Sequence, residues 1–115
     1  MTVHYLELVC PDVDKQCGLL AAAQGLTFGA PQAELGNARV AEGPDGTRIG
    51  VRAPLADHET PIVRSYLSVD DIEAAVRDAE AAGAVIAYPP TKQGDAGTFA
   101  IYILDGLQVG LWQDA

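Results

Sequence analysis

The sequence predicts an α+β domain made by using one motif twice: two βαβββ modules that form a curved mixed sheet, with the helices on its outer face. Three observations carry this expectation. Short segments that alternate with period two, and two segments with helical spacing, follow one another in the same order in each half. The helix-start acids Asp12 and Asp71 lie 59 residues apart, and the turn glycines Gly46 and Gly106 lie 60 apart. One such module cannot bury a sheet face alone, whereas two together can.

The elements are justified in order. "VHYLELV", residues 3–9, alternates and reads as a strand. "PDVDKQCGLLAAAQG" reads as a helix over 12–24, with Asp12 as its N-cap and Gly25 as a left-handed stop. Its stripe of Val13, Cys17, Leu20 and Gln24 is modest. "LTFGA", "ARVAE" and "RIGVR" read as three strands, punctuated by Gly-Ala-Pro, Gly-Asn and Gly-Pro-Asp-Gly. In the second half "IVRSYLSV" is a strand. "DDIEAAVRDAEAAG" is a helix over 70–82, with Asp70 and Glu73 spaced as a capping box, Gly83 as the stop, and a stripe of Ile72, Ala75, Val76 and Ala79. "AVIAY", "TFAIYIL" and "QVGLW" are strands, the last two joined by an Asp105-Gly106 hairpin turn. The polar stretch "APLADHETP", residues 53–61, reads as a linker inside one domain spanning 1–115: module one 1–54, linker 55–60, module two 61–115.

At 115 residues and 49% hydrophobic, the chain is long and apolar enough for one core without staples. A net charge of −9 disfavours nucleic acid and anionic membrane, which repel an acidic surface. Cys10 and Cys17 fit no zinc or redox spacing and are expected to be buried thiols in a reducing compartment. The first ten residues have no basic start and no long apolar run. No signal peptide or membrane span is therefore expected, and the cytoplasm is the expected location.

Alternation then sorts the sheet into two faces. Leu6, Leu8, Ile49, Val51, Val63, Leu67, Val69, Val109 and Leu111 fall on the face that should pack against the helices. Tyr5, Glu7, Gly50, Arg52, Arg64, Tyr66, Gln108, Gly110 and Trp112 fall on the other. A sheet with one wet face would show the same alternation. Aromatics that recur beside cations in an acidic chain instead suit a concave ligand site.

Taken together these segments resemble the vicinal oxygen chelate superfamily, the fold of glyoxalases, bleomycin-resistance proteins and extradiol dioxygenases. The resemblance covers essentially the whole chain. "PDVDKQCGLLAAAQGLTF" is similar to the family's strand-to-helix segment, and "VDDIEAAVRDAEAAGAVI" to its second-module helix. "GPDGTRIGV" and "LDGLQVGLW" resemble its closing turns and strands, and the "GLWQ" ending resembles a glyoxalase-like or hydroxylase-like branch. Metal-dependent members use four inward positions for His and Glu or Gln ligands, and the resemblance places these at Tyr5, Gly50, Arg64 and Gly110. None is a usual ligand. His4 is offset by one residue and so faces the other way, and His58 falls in the linker. Neither a metal nor a cofactor is expected, and the two glycines are expected to leave open space where a metal would sit. Bleomycin-resistance-type members bind ligands in clefts formed by two chains, so the resemblance implies a homodimer.

Three functions follow, in order of preference. The first is a metal-free cup that binds a small anionic or aromatic molecule. Tyr5, Tyr66 and Trp112 would supply aromatic contacts, Arg52 and Arg64 would hold a carboxylate or phosphate, and Gln108 would line the same face. Glu7 would pair with Arg64. The second is a metal-free isomerase or lyase with Glu7 as general base and Arg64 and Tyr66 steadying an enolate. The third is a metal-dependent lyase or dioxygenase, ranked last because its ligands are missing.

Overall fold

A computed structural model describes every residue, Met1–Ala115. The elements run β1 (Val3–Val9), α1 (Val13–Gln24), β2 (Arg39–Glu42), β3 (Arg48–Arg52), β4 (Ile62–Ser68), α2 (Ile72–Ala81), β5 (Val85–Lys92), β6 (Thr98–Leu104) and β7 (Leu107–Gln113). Parallel and antiparallel pairs both occur, so the chain is α+β with mixed sheet. Neither helix is long and apolar enough to cross a membrane. The chain divides into two compact units, Tyr5–Val63 and a second made of Met1–His4 with Arg64–Ala115.

In the first unit α1 and then β2 lie between β1 and β3, which pair in parallel. Tyr5 lies opposite Arg48, Glu7 opposite Gly50 and Val9 opposite Arg52. β2 runs antiparallel to β3. The helix starts where its acid predicts: the Asp12 carboxylate accepts from the Lys15 amide at 3.1 Å. It stops at Gly25, whose φ of 67° suits the residue without a Cβ. Cys17 is the buried residue of the stripe, with Val13 and Leu20 half-buried and Gln24 exposed.

One expected strand does not form. The Phe28 and Gly29 carbonyls of "LTFGA" accept from the Arg39 guanidinium, at 3.5 and 2.9 Å, instead of a ladder. Pro31 follows with no N–H to donate. The Gly29 amide still bonds to the Val40 carbonyl at 3.0 Å. A 3-10 turn at Ala33–Leu35, which no periodicity announces, then tucks Leu35 inside.

In the second unit β4 pairs in parallel with β7, placing Tyr66 opposite Gly110, Leu67 opposite Leu111 and Ser68 opposite Trp112. β6 is antiparallel to β7, and β5 to β6. α2 presents the predicted stripe: Ile72 and Val76 pack on Ala100 and Leu111, with Leu67, Val69, Ala75 and Ile86 around them. Its cap is one residue later than the expected capping box. The Asp71 carboxylate accepts from the Ala74 amide at 3.1 Å, so the third helical position is Ala74 and Glu73 cannot close a box with Asp70. Gln113 Oε1 accepts from the Ile72 amide at 2.8 Å and satisfies a further donor of the first turn. The hairpin turn is as read, with Asp105 and Gly106 at φ 50° and 82°. β5 runs past "AVIAY" through Pro89 and Pro90, where its register shifts because proline offers no ladder donor.

The face assignment needs one correction. Val63, placed with the core residues by alternation, is 65% exposed. β4 pairs with β7 only from Tyr66 onward, and α2 covers Leu67 rather than the start of the strand. Leu6 and Leu8 are half-buried, less enclosed than Tyr5 and Glu7 beside them.

Candidate functional site

The face expected to carry the chemistry is largely buried, with Gln108 exposed at its edge. Tyr5, Glu7, Arg52, Arg64, Tyr66 and Trp112 are each no more than 7% exposed. A wet sheet face would leave such side chains open, so polar alternation here marks interior packing. Buried charge is costly unless it is paired and hydrogen-bonded. The two units meet that cost differently.

In the first unit the buried cation is Arg52. Its Nε donates to Glu7 Oε2 at 2.9 Å. Its Nη1 and Nη2 donate to the two oxygens of Glu59, at 2.8 and 2.7 Å, in the two-pronged geometry that suits a guanidinium. Nη1 also reaches the Ala53 carbonyl at 3.2 Å. These bonds, Glu59's first and then Glu7's, push the Arg52 pKa up against the opposing effect of burial. Glu59 Oε1 also accepts from the Leu55 amide at 2.7 Å, which ties the linker to β3. Sequence reasoning missed Glu59. It stands in a stretch without periodicity or motif, so no local signal marks it.

Tyr5 lies beside this network, with the Arg48 guanidinium 5.7 Å from its ring centre. Burial, reinforced by the charge of Glu7, pushes the Tyr5 phenol well above its ordinary value, against a smaller pull from Arg48 and Arg52. A phenol held protonated is a poor metal ligand. The space over Gly50 is not open. A Cβ built there would overlap the Tyr5 hydroxyl and ring.

In the second unit the cation is Arg64. Gln108 Oε1 accepts from its Nε at 3.0 Å and its Nη2 at 2.7 Å, and the Tyr66 hydroxyl lies 3.5 Å from Nη1. The Tyr66 ring packs edge-on to Trp112, at 6.2 Å and 89°, and to Phe99, at 6.4 Å and 71°. His4 stacks on Trp112 at 5.2 Å, and its Nε2 lies 3.8 Å from an oxygen of Asp114. Gly110 repeats the pattern of Gly50: a Cβ there would come within 2.7 Å of Tyr66 Cγ and Cε2. The expectation of empty space at the two glycines is thus corrected. Each glycine exists beneath a tyrosine ring, and the ring occupies the volume.

The four family positions do not fit a metal. One is a protonated phenol, one a guanidinium, and two are glycines covered by rings. No three His, Cys, Asp or Glu side chains converge anywhere in the chain. His58 is exposed in the linker. Cys17 is a buried free thiol, whereas Cys10 is only half-buried; desolvation pushes both pKa values up, away from the reactive thiolate.

A concavity of about 350 Å³ lies elsewhere on the first unit, lined by Val13, Asp14, Pro31, Gly36, Asn37, Arg39, Ala53, Pro54 and Leu55. None of the sequence-predicted site residues lines it. Its one cation, Arg39, bonds to Asp14 at 3.0 Å as well as to the carbonyls of Phe28 and Gly29, so it serves as a brace of the loop.

No family model and no curated protein matches the sequence. Solved structures match the fold. A methylmalonyl-CoA epimerase from Mycobacterium tuberculosis superposes with a TM-score of 0.77 at 15% identity, covering 98% of this chain and 87% of that one. The hypothetical protein BH1468 from Bacillus halodurans C-125 gives 0.75 at 11%, covering 99% and 94%. A variant of the Streptomyces coelicolor methylmalonyl-CoA epimerase, in complex with 2-nitronate-propionyl-CoA, gives 0.69 at 14%, covering 98% and 96%. Epimerase and hypothetical protein alike are members of the vicinal oxygen chelate, glyoxalase-like superfamily, and the chain has that fold.

Proposed function

We propose that the chain binds a small anionic molecule through Arg64, without a metal, in a setting of Tyr66, Gln108 and Trp112. The observation that carries this reading is a guanidinium buried to 7% exposure beside the Tyr66 hydroxyl, with one edge directed at an exposed residue, Gln108. A desolvated guanidinium is a strong and directional receptor for carboxylate. Structural neighbours add a chemical class, since one was solved with methylmalonyl-CoA and another with a nitronate analogue of propionyl-CoA. Small carboxylic acids and their acyl thioesters are therefore the first ligands to try.

Arg52, also expected at the ligand, is assigned a structural role: its donors go to Glu7, Glu59 and Ala53. The general-base reading of Glu7 has less support. One of its carboxylate oxygens is held by Arg52 at 2.9 Å, and a base must share that oxygen with a substrate proton. A homodimer remains part of the proposal and is tested by sedimentation velocity.

The test is a thermal-shift screen with methylmalonyl-CoA, propionyl-CoA and methylmalonate, followed by calorimetric titration of hits. Arg64→Ala should weaken binding by about 2–5 kcal/mol. Arg64→Lys should also weaken it, because an ammonium lacks the planar fork. Protein stripped with a chelator should bind as before. Unchanged affinity in Arg64→Ala would remove Arg64 from the site.

A further inference from the structure

We infer that Gln108 occupies the carboxylate position of the Arg64 site and is displaced when ligand binds, which makes the site selective for planar carboxylates; this rests on the Arg64 reading above. The Nε and Nη2 hydrogens of a guanidinium are parallel donors matched to two carboxylate oxygens. Here both converge on a single amide oxygen, at 3.0 and 2.7 Å. That atom is the oxygen, because a guanidinium offers only donors. One neutral oxygen thus accepts from both donors, where a carboxylate would present two charged oxygens.

The exchange is also favourable at the other end. Gln108 is an exposed residue of β7, one position past the start of the strand after the Asp105-Gly106 turn. A side chain in that place regains water as its hydrogen-bonding partner when it swings away, so leaving costs it little. Arg64 has no such freedom. It is buried in β4, with Tyr66 hydroxyl near its Nη1. A ligand carboxylate replaces a neutral acceptor with an ionised one, and charge-assisted bonds are about twice as strong as neutral ones. Gln108 therefore sets both the apparent affinity and the choice of ligand.

Three variants and four small probes test this. The probes are propionate, methylmalonate, propionamide and inorganic phosphate, titrated against wild type, Gln108→Ala, Gln108→Glu and Arg64→Ala. Gln108→Ala removes the competitor and should tighten the carboxylates severalfold. Gln108→Glu supplies a tethered carboxylate, so it should weaken them by about tenfold or more and raise the melting temperature with no ligand present. Propionamide should not bind, and phosphate should bind more weakly than either carboxylate. If Arg64→Ala loses the carboxylates while both Gln108 variants bind them as wild type does, displacement is wrong and the Arg64 reading stands. If Arg64→Ala binds them unchanged, the Arg64 reading itself fails. Phosphate or propionamide binding as tightly as propionate, absence of carboxylate binding even in Gln108→Ala, or an unchanged melting temperature in Gln108→Glu would each overturn the inference.

Discussion

Arg52 and Arg64 are buried to a similar extent, and the groups that meet them differ. Arg52 is closed in by two carboxylates, Glu7 and Glu59, and a backbone carbonyl. One edge of Arg64 meets the amide oxygen of an exposed glutamine. The contrast teaches that a buried cation is not by itself a ligand site. What matters is whether the group on a given edge is charged and enclosed, and so expensive to move, or neutral and hydrated on release.

The largest expected effect breaks the first half of this comparison. Arg52→Ala removes the guanidinium that Glu7 bonds in the interior and unties Glu59 of the linker from β3. Losing one member of a buried ion pair costs about 3–5 kcal/mol, to be read from urea unfolding at neutral pH. Arg64→Ala should cost less stability than Arg52→Ala at this edge, because exposed Gln108 can turn to solvent whereas Glu59 loses a two-pronged pair. Equal losses in the two variants would erase the distinction between a structural cation and a receptor.

The glycines sharpen the same comparison at a smaller scale. Gly110→Ala should destabilise by about 1–3 kcal/mol, as overpacking of an interior does. Gly50→Ala should cost less. At Gly110 the obstruction includes the root of the Tyr66 ring, Cγ, which the backbone fixes; at Gly50 it is the hydroxyl end of Tyr5, which a small rotation about the side-chain torsions moves furthest. Tyr5→Phe should therefore recover part of the loss in Gly50→Ala. The reverse ranking in thermal unfolding would mean that Tyr5 is the more rigid ring.

The smallest effect concerns the second helix. Asp71→Ala should cost about 1 kcal/mol through the lost bond to the Ala74 amide, whereas Asp70→Ala should fall within about 0.5 kcal/mol. Equal losses at the two positions would restore the capping box that the spacing of Asp70 and Glu73 suggested.

Much of the fold was legible because it is local. Helix starts depend on an acid and the amide three residues on, as at Asp12 with Lys15 and Asp71 with Ala74. The Asp105-Gly106 turn depends on two adjacent residues that tolerate positive φ. The stripe of α2 repeats within ten residues and needs only helical spacing to be seen. The strand expected at "LTFGA" failed because Arg39, ten residues beyond Gly29, captured the carbonyls that a ladder would use.

The candidate site was legible by type and face but not by connection. Alternation grouped Tyr5, Glu7 and Arg52 on one face, and Arg64, Tyr66, Gln108 and Trp112 on one face, because side chains in a strand point to opposite sides with period two. It could not say that the face was interior, since one wet face and one buried face leave the same alternating pattern. By itself, then, the sequence determined the two helices, the acids Asp12 and Asp71 that start them and the residues of the polar face from relations within about ten residues, and the α+β class from the repeat of those elements about 60 residues apart. Tertiary structure alone brought an acceptor to each arginine: the Glu7 carboxylate meets Arg52 across 45 positions of chain, and the Gln108 amide oxygen meets Arg64 across 44. It also decided that tyrosine rings fill the space above Gly50 and Gly110. Parallel strand pairing brings distant segments side by side, and the reach of a side chain across that pairing leaves no trace in local periodicity.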